Sequence, residues 1–249
     1  MKRVAFVTGG ASGIGLSISQ HLARHGHSVV VADLNGDIAE REAKAIREAG
    51  GQAIATEVDV SDRTQVDEAM RIARGEFGPL GILVTSAAVS RIEPFTEMTA
   101  QSWQQVINVN LTGTFNCAQA AIPDMIEARW GRVVLISSSS AQRGARRMTH
   151  YAASKGGVIA FGKSLALEYA PIGITVNNIA PSAILTPMVE QQQAIGAVSS
   201  KEAMARGVPV GRVGTGDDIA AACLYLCSEE ASYVTGQTVS VNGGSFVGW

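Results

Sequence analysis

An excess of charge of either sign, long apolar runs and paired cysteines are all missing from this chain. Its 249 residues carry 20 Lys and Arg against 22 Asp and Glu, a formal net charge of −2. A balance so close to neutral gives no argument for nucleic acid or an anionic membrane as partner. No stretch reaches the ~18 consecutive apolar residues that would cross a bilayer. The basic start and short apolar run of Met1–Thr8 lack the long apolar region and cleavage site of a signal peptide, so they read as a first strand. The cysteines, Cys117, Cys223 and Cys227, include no Cys-x-x-Cys pair. Cys223 and Cys227 stand one helical turn apart in an apolar segment, which marks core packing, and a reducing cytoplasmic setting fits. His21, His25, His27 and His150 offer no metal-ligand spacing, so no metal is expected. No linker, repeat or low-complexity block divides the chain, so residues 1–249 are expected to form a single domain.

What is present is an alternation of short apolar runs with amphipathic stretches. Strands are expected at Val4–Val7, Ser28–Ala32, Ala53–Val58, Leu80–Val84, Arg132–Ile136, Thr175–Ile179 and Thr238–Val241. Between them fall a helix ending near Arg24, then Asp37–Ala49, Arg63–Phe77, a long helical region Ser102–Ala128, Tyr151–Tyr169 and Asp217–Ser228. Apolar strands separated by helices predict an α/β fold, a doubly wound parallel sheet covered on both faces. The texture changes over 182–207, where small residues and three consecutive glutamines predict a mobile substrate lid beyond the strand ends.

Two constellations carry chemistry. Thr8-Gly9-Gly10-Ala11-Ser12-Gly13-Ile14-Gly15 follows the first strand and opens the first helix. Glycines there let the backbone turn tightly beside a pyrophosphate, and the helix N-terminus offers N–H groups and partial positive charge. Asp33 ends the second strand, where a carboxylate can bind ribose hydroxyls and repel a 2′-phosphate; Leu34 and Asn35 bring no cation. NAD(H) is therefore favoured over NADP(H). Asp59-Val60 closes the third strand and is placed to flank an adenine, unless Asp59 serves only as a helix cap. The second constellation is Tyr151-Ala152-Ala153-Ser154-Lys155. Four residues on a helix put the phenol and the ammonium on one face. The positive charge then lowers the phenol pKa and makes an acid/base for an alcohol or carbonyl. Tyr-x-x-x-Lys also occurs as a plain surface pair, so the rest of the chain decides.

Together, Thr8–Gly15, Asp33, Asp59-Val60, Asn110, Ser138, Tyr151, Lys155, Pro181 and Thr186 resemble the short-chain dehydrogenase/reductase family along essentially the whole chain. The general look is that of 3-oxoacyl-carrier-protein reductases and of polyol or steroid dehydrogenases. The resemblance implies a Rossmann-type seven-stranded sheet of order 3-2-1-4-5-6-7. It implies a catalytic set in which Tyr151 is the acid/base, Lys155 lowers its pKa and binds the nicotinamide ribose, and Ser138 holds the substrate oxygen. Asn110 would hold a helix kink and a water that links Lys155 to solvent. Gly9, Ser12, Gly13, Ile14, Gly15, Asp33, Leu34, Asp59, Val60, Ala87, Pro181, Ile184 and Thr186 would join Tyr151 and Lys155 in cofactor binding. Gln142, Met148 and Met188 would join Ser138 and Tyr151 in the substrate pocket, under an apolar lid that includes Val189 and Ile195.

Some positions depart from the family pattern. Thr85-Ser86-Ala87-Ala88 replaces the usual Asn-Asn-Ala-Gly, Ser182 follows Pro181, and Asn242 replaces an aspartate. Arg129 matches one of two basic residues that carrier-protein reductases offer their partner, but Ile172 stands in place of the other. The expected activity is NAD(H)-dependent interconversion of a secondary alcohol and a ketone by a homotetramer. The alternatives are a 3-oxoacyl thioester reductase using NADPH and a non-catalytic dinucleotide sensor. Arg143, Arg146 and Arg147 border the pocket in sequence, either as anion ligands or as surface charges.

Overall fold

A computed structural model describes residues 2–194, 196 and 199–248. The central strand β1 (Val4–Thr8) leads through the glycine turn into α1 (Gly13–Arg24). β2 (Ser28–Asp33), α2 (Gly36–Glu48), β3 (Gln52–Glu57), α3 (Arg63–Phe77) and β4 (Leu80–Thr85) complete the first half. The second half starts with α4 (Ala100–Ile107), a π-helical turn (Asn108–Thr112) and α5 (Gly113–Ala128). It continues with β5 (Gly131–Ile136), the short α6 (Ser140–Arg143), α7 (Thr149–Tyr169) and β6 (Ile174–Pro181). Beyond β6 come α8 (Pro187–Ala194), α9 (Lys201–Arg206), α10 (Gly216–Leu226) and β7 (Thr238–Val241).

The seven strands pair in parallel in the order β3-β2-β1-β4-β5-β6-β7, as the resemblance implied. Alternate residues of β1 feed two cores, because successive strand side chains point to opposite faces. Val4 and Phe6 pack with Met70 of α3, Cys117 of α5 and Val158 of α7. Ala5 and Val7 pack with Ile18 of α1, Ala43 of α2 and Cys223 of α10. All three cysteines are buried and unpaired, and burial pushes the Cys117 thiol up to about 12. Among the described residues, no helix is long and apolar enough to cross a membrane.

The long helical region expected over Ser102–Ala128 is broken at Asn110, where the resemblance implied a kink. It is two helices joined by the π turn, whose cause is Asn110. That side chain is fully buried, accepts the Val89 N–H (2.9 Å) and donates to the Val89 carbonyl (3.0 Å). It also donates to the Ser154 hydroxyl (3.0 Å). Capturing a loop in this way requires Asn110 to point inward, and the widened turn provides that. The 182–207 segment contains α8 and α9, and Ile184 is tied to Gly214 by a β-bridge. Ile195, expected in the lid, lies outside the described residues.

Candidate active site

The carboxyl ends of the strands open into a cleft of about 920 Å³. One end is built by β1, β2 and β3. Gly9 and Gly13 take positive φ (60° and 51°), which the tight turn requires. A Cβ on Gly9 would meet the Ala87 backbone at 2.9 Å. Gly9, Ser12, Gly13 and Ile14 line the cleft, but Gly15 does not. A Cβ on Gly15 would come within 2.0 Å of the Gly9 carbonyl oxygen, so the bare glycine lets α1 pack against the turn. Ser12 caps α1 without a side-chain hydrogen bond, which leaves its hydroxyl and the first-turn N–H groups to a ligand.

Asp33 lines the same end. Its carboxylate accepts the N–H groups of Ala11 (3.1 Å) and Asn35 (3.2 Å), and both oxygens keep further lone pairs. Asn35, not Asp33, caps α2, and Asp62, not Asp59, caps α3. Asp59 instead accepts the N–H and hydroxyl of Ser61 (2.9 and 2.7 Å) just beyond β3, and with Val60 and the exposed Leu34 it lines the cleft. At the end of β4, Ser86 and Ala87 donate backbone N–H groups to the Thr8 hydroxyl (both 3.1 Å). Ala88 does not adopt positive φ, so the methyl that replaces the usual glycine imposes no strain.

The other end is built by β5, α6, α7 and β6. Ser137 donates its hydroxyl to the Lys155 carbonyl (3.0 Å), and the Ser139 N–H goes to Pro181 (3.0 Å). Of the serine run, Ser138 is the one that hydrogen-bonds the Tyr151 phenol. It also accepts the Ser140 N–H (3.1 Å). Lys155 is 2% exposed and donates to the Ile136 carbonyl (2.8 Å), with two ammonium protons left. Burial pulls its pKa down to about 8. The Lys155 nitrogen lies 6.0 Å from the Tyr151 ring centroid. Burial is the largest influence on the Tyr151 phenol. Desolvation raises the phenol above its ordinary 10.0, while the Ser138 hydrogen bond pulls the other way.

Pro181, Ile184 and Thr186 close the cleft opposite the glycine turn, with the Thr186 side chain 3.5 Å from where a Gly13 Cβ would sit. Met188 and Val189 of α8 line it as expected. Gln142 and Met148 do not. Gln142 accepts the Ser240 hydroxyl (3.4 Å) at the β7 side, and Met148 precedes the first turn of α7. Arg143 lines the cleft in place of Gln142, whereas Arg146 and Arg147 stay outside it. The Asn110 carbonyl accepts the Thr114 hydroxyl (2.7 Å), and its side chain is fully engaged. Asn110 is thus a rigid support for the Val89 loop and α7.

One cluster escaped the sequence reading. His150, fully buried beside Tyr151, places Nε2 3.1 Å from the Glu93 carboxylate, which also accepts the Ser102 hydroxyl. These residues tie the loop after β4 and α4 to the first turn of α7. Nothing in their spacing announces the contact.

A family model described as enoyl-(acyl carrier protein) reductase matches residues 9–245. A curated relative, the 3-oxoacyl-(acyl-carrier-protein) reductase FabG of Chlamydia trachomatis, is 37% identical over 245 residues, 98% of this chain and 97% of that one. The acetoacetyl-CoA reductase of Shinella zoogloeoides is 39% identical over 246 residues and 99% of both chains. A solved structure titled ribose-5-phosphate isomerase from Brucella melitensis superposes with a TM-score of 0.91 at 31% identity, covering 98% of this chain and 92% of that one.

Proposed function

Because the chain belongs to the short-chain dehydrogenase/reductase family, we propose that it reduces the ketone of a 3-oxoacyl compound reversibly, with NAD(H) preferred over NADP(H). One observation carries this reading. Tyr151, Ser138 and Lys155 converge at one end of a cleft whose other end carries Asp33 and, among the described residues, no cation. The relatives' names support the 3-oxoacyl class, and the geometry at Asp33 supports the cofactor.

The residues present fit a nicotinamide dinucleotide. The Gly9–Ile14 turn and the open first turn of α1 would hold the pyrophosphate. Asp33 would accept the adenosine ribose hydroxyls, and its charge would repel a 2′-phosphate. The two spare protons of Lys155 would hold the second ribose, and Ile184 and Thr186 would meet the carboxamide. The cofactor supplies the hydride. Tyr151, as the neutral phenol, donates its proton to the oxygen on which negative charge develops during reduction. The Ser138 hydroxyl stabilises the same oxygen. Charged Lys155 favours the phenolate left behind.

Reduction of a carrier-protein thioester is the less favoured form of this reading. Arg129 is exposed, and Ile172, close to it across Gly173, brings no second cation. Exposed Phe115, Ile126 and Leu167 on α5 and α7 support assembly of copies through that face. The test is reduction of ethyl acetoacetate with NADH and with NADPH. Wild type should prefer NADH, and Asp33→Ser should narrow the kcat/KM ratio by about 10- to 100-fold, the loss of one or two charge-assisted hydrogen bonds. A wild-type preference for NADPH would overturn the cofactor assignment. Absence of turnover with either would overturn the substrate class.

A further inference from the structure

Arg143 is a charge at the reactive end of the cleft that the catalytic set does not use. It closes α6, whose N–H groups at Ser140 and Arg143 bond back to the Ser138 hydroxyl (3.1 Å) and the Ser139 carbonyl (3.0 Å). Its backbone is therefore fixed about one helical turn beyond Ser138. The residue is exposed and lines the cleft, and, among the described residues, its side chain pairs with no carboxylate and donates no hydrogen bond. The other cleft charges are accounted for. Lys155 is buried on the Ile136 carbonyl. Asp33 and Asp59 lie at the far end, beyond β2 and β3.

Three strand spacings separate β2 from β5 in the sheet, about 14 Å, so Arg143 is not placed to read a 2′-phosphate beside Asp33. A thioester substrate would carry its phosphates a whole pantetheine chain away from its ketone. The charge that can sit one helical turn from Ser138 belongs to the acyl group itself. We propose that Arg143 binds a free carboxylate a few bonds from the reacting carbon, and that the substrate is a short 3-oxo acid, or 3-hydroxy acid in reverse, not its thioester. A guanidinium matches a carboxylate with two parallel N–H···O bonds, which a lysine cannot reproduce. This inference rests on the proposed 3-oxoacyl reading and narrows it.

The experiment compares acetoacetate with neutral ethyl acetoacetate in wild type, Arg143→Gln and Arg143→Lys. The ratio of their kcat/KM values should fall about 10- to 100-fold in R143Q, chiefly through KM for acetoacetate, with partial recovery in R143K. An unchanged ratio would overturn the proposal while leaving the 3-oxoacyl reading intact. Malonate, which has no ketone to reduce, reads the same contact without turnover. In the presence of NAD it should bind wild type and lose at least tenfold in affinity in R143Q. Malonate binding that ignores Arg143 would also overturn the proposal. Arg143-dependent malonate binding without turnover of either ketone would uphold the carboxylate site and refute the 3-oxoacyl reading.

Discussion

Replacing Lys155 by methionine should abolish turnover and yet make the protein more stable at pH 7. The lysine is 2% exposed, and burial alone brings its pKa from 10.5 to about 8. That drop corresponds to about 3 kcal/mol by which folding disfavours the charged form. Methionine of similar length removes this cost. The Ile136 carbonyl loses its 2.8 Å donor, which returns about 1 kcal/mol, so the net gain is about 2 kcal/mol. For a chain of this size the midpoint of thermal unfolding should rise by about 4–8 °C. The sign of the pH dependence follows from proton counts. Between pH 8 and 10.5 the unfolded lysine is protonated and the folded one is not, so wild-type stability rises with pH across that window. The advantage of K155M should be greatest below pH 8 and fade by about pH 10.5. Paired calorimetric scans of both proteins across this range measure the difference and cancel other titrating groups. A variant less stable than wild type at pH 7, or a stability difference that ignores pH, would refute the reasoning.

Tyr151→Phe should lower kcat by at least about 100-fold, since it removes the acid, while NADH binding followed by fluorescence stays near wild type. Gly15→Ala should weaken both folding and cofactor binding, because its methyl would have to displace the Gly9 carbonyl now only 2.0 Å from that point; unchanged urea unfolding would contradict the packing role. Asn110→Ala strands the Val89 N–H and carbonyl and removes the bond to Ser154. It should cost about 3 kcal/mol, read in the same denaturation assay.

The strands were legible because a parallel sheet buries both faces, so Val29–Ala32 and Leu80–Val84 read as unbroken apolar runs. Tyr151 and Lys155 were legible because helical spacing alone puts them on one face. Ser138 needed the tyrosine as a ruler to be separated from its serine neighbours. The break at Asn110 was legible only through the family resemblance, since no proline or glycine interrupts Ile107–Thr112 and the turn is held by a contact with a distant loop. Gln142 and Arg143 could not be told apart, because a helix of four residues has no periodicity from which to read its inner face. The Glu93–His150 contact joins two segments that nothing local relates.

The π turn at Asn108–Thr112 also takes up a residue. Each α-helical residue advances the face by 100°, so one extra residue in an ordinary turn would rotate everything beyond it by that amount. The turn holds one residue more than an α-helical turn, so Ser102 and Val106 before it and Cys117 and Ala121 after it all stay buried while Asn110 is carried inward. Deleting one residue between Ile107 and Gly113 would therefore convert the π turn to an α turn and leave both flanking helices in register. The loss would fall on Asn110, turned away from Val89, and not on the packing of either helix against the sheet.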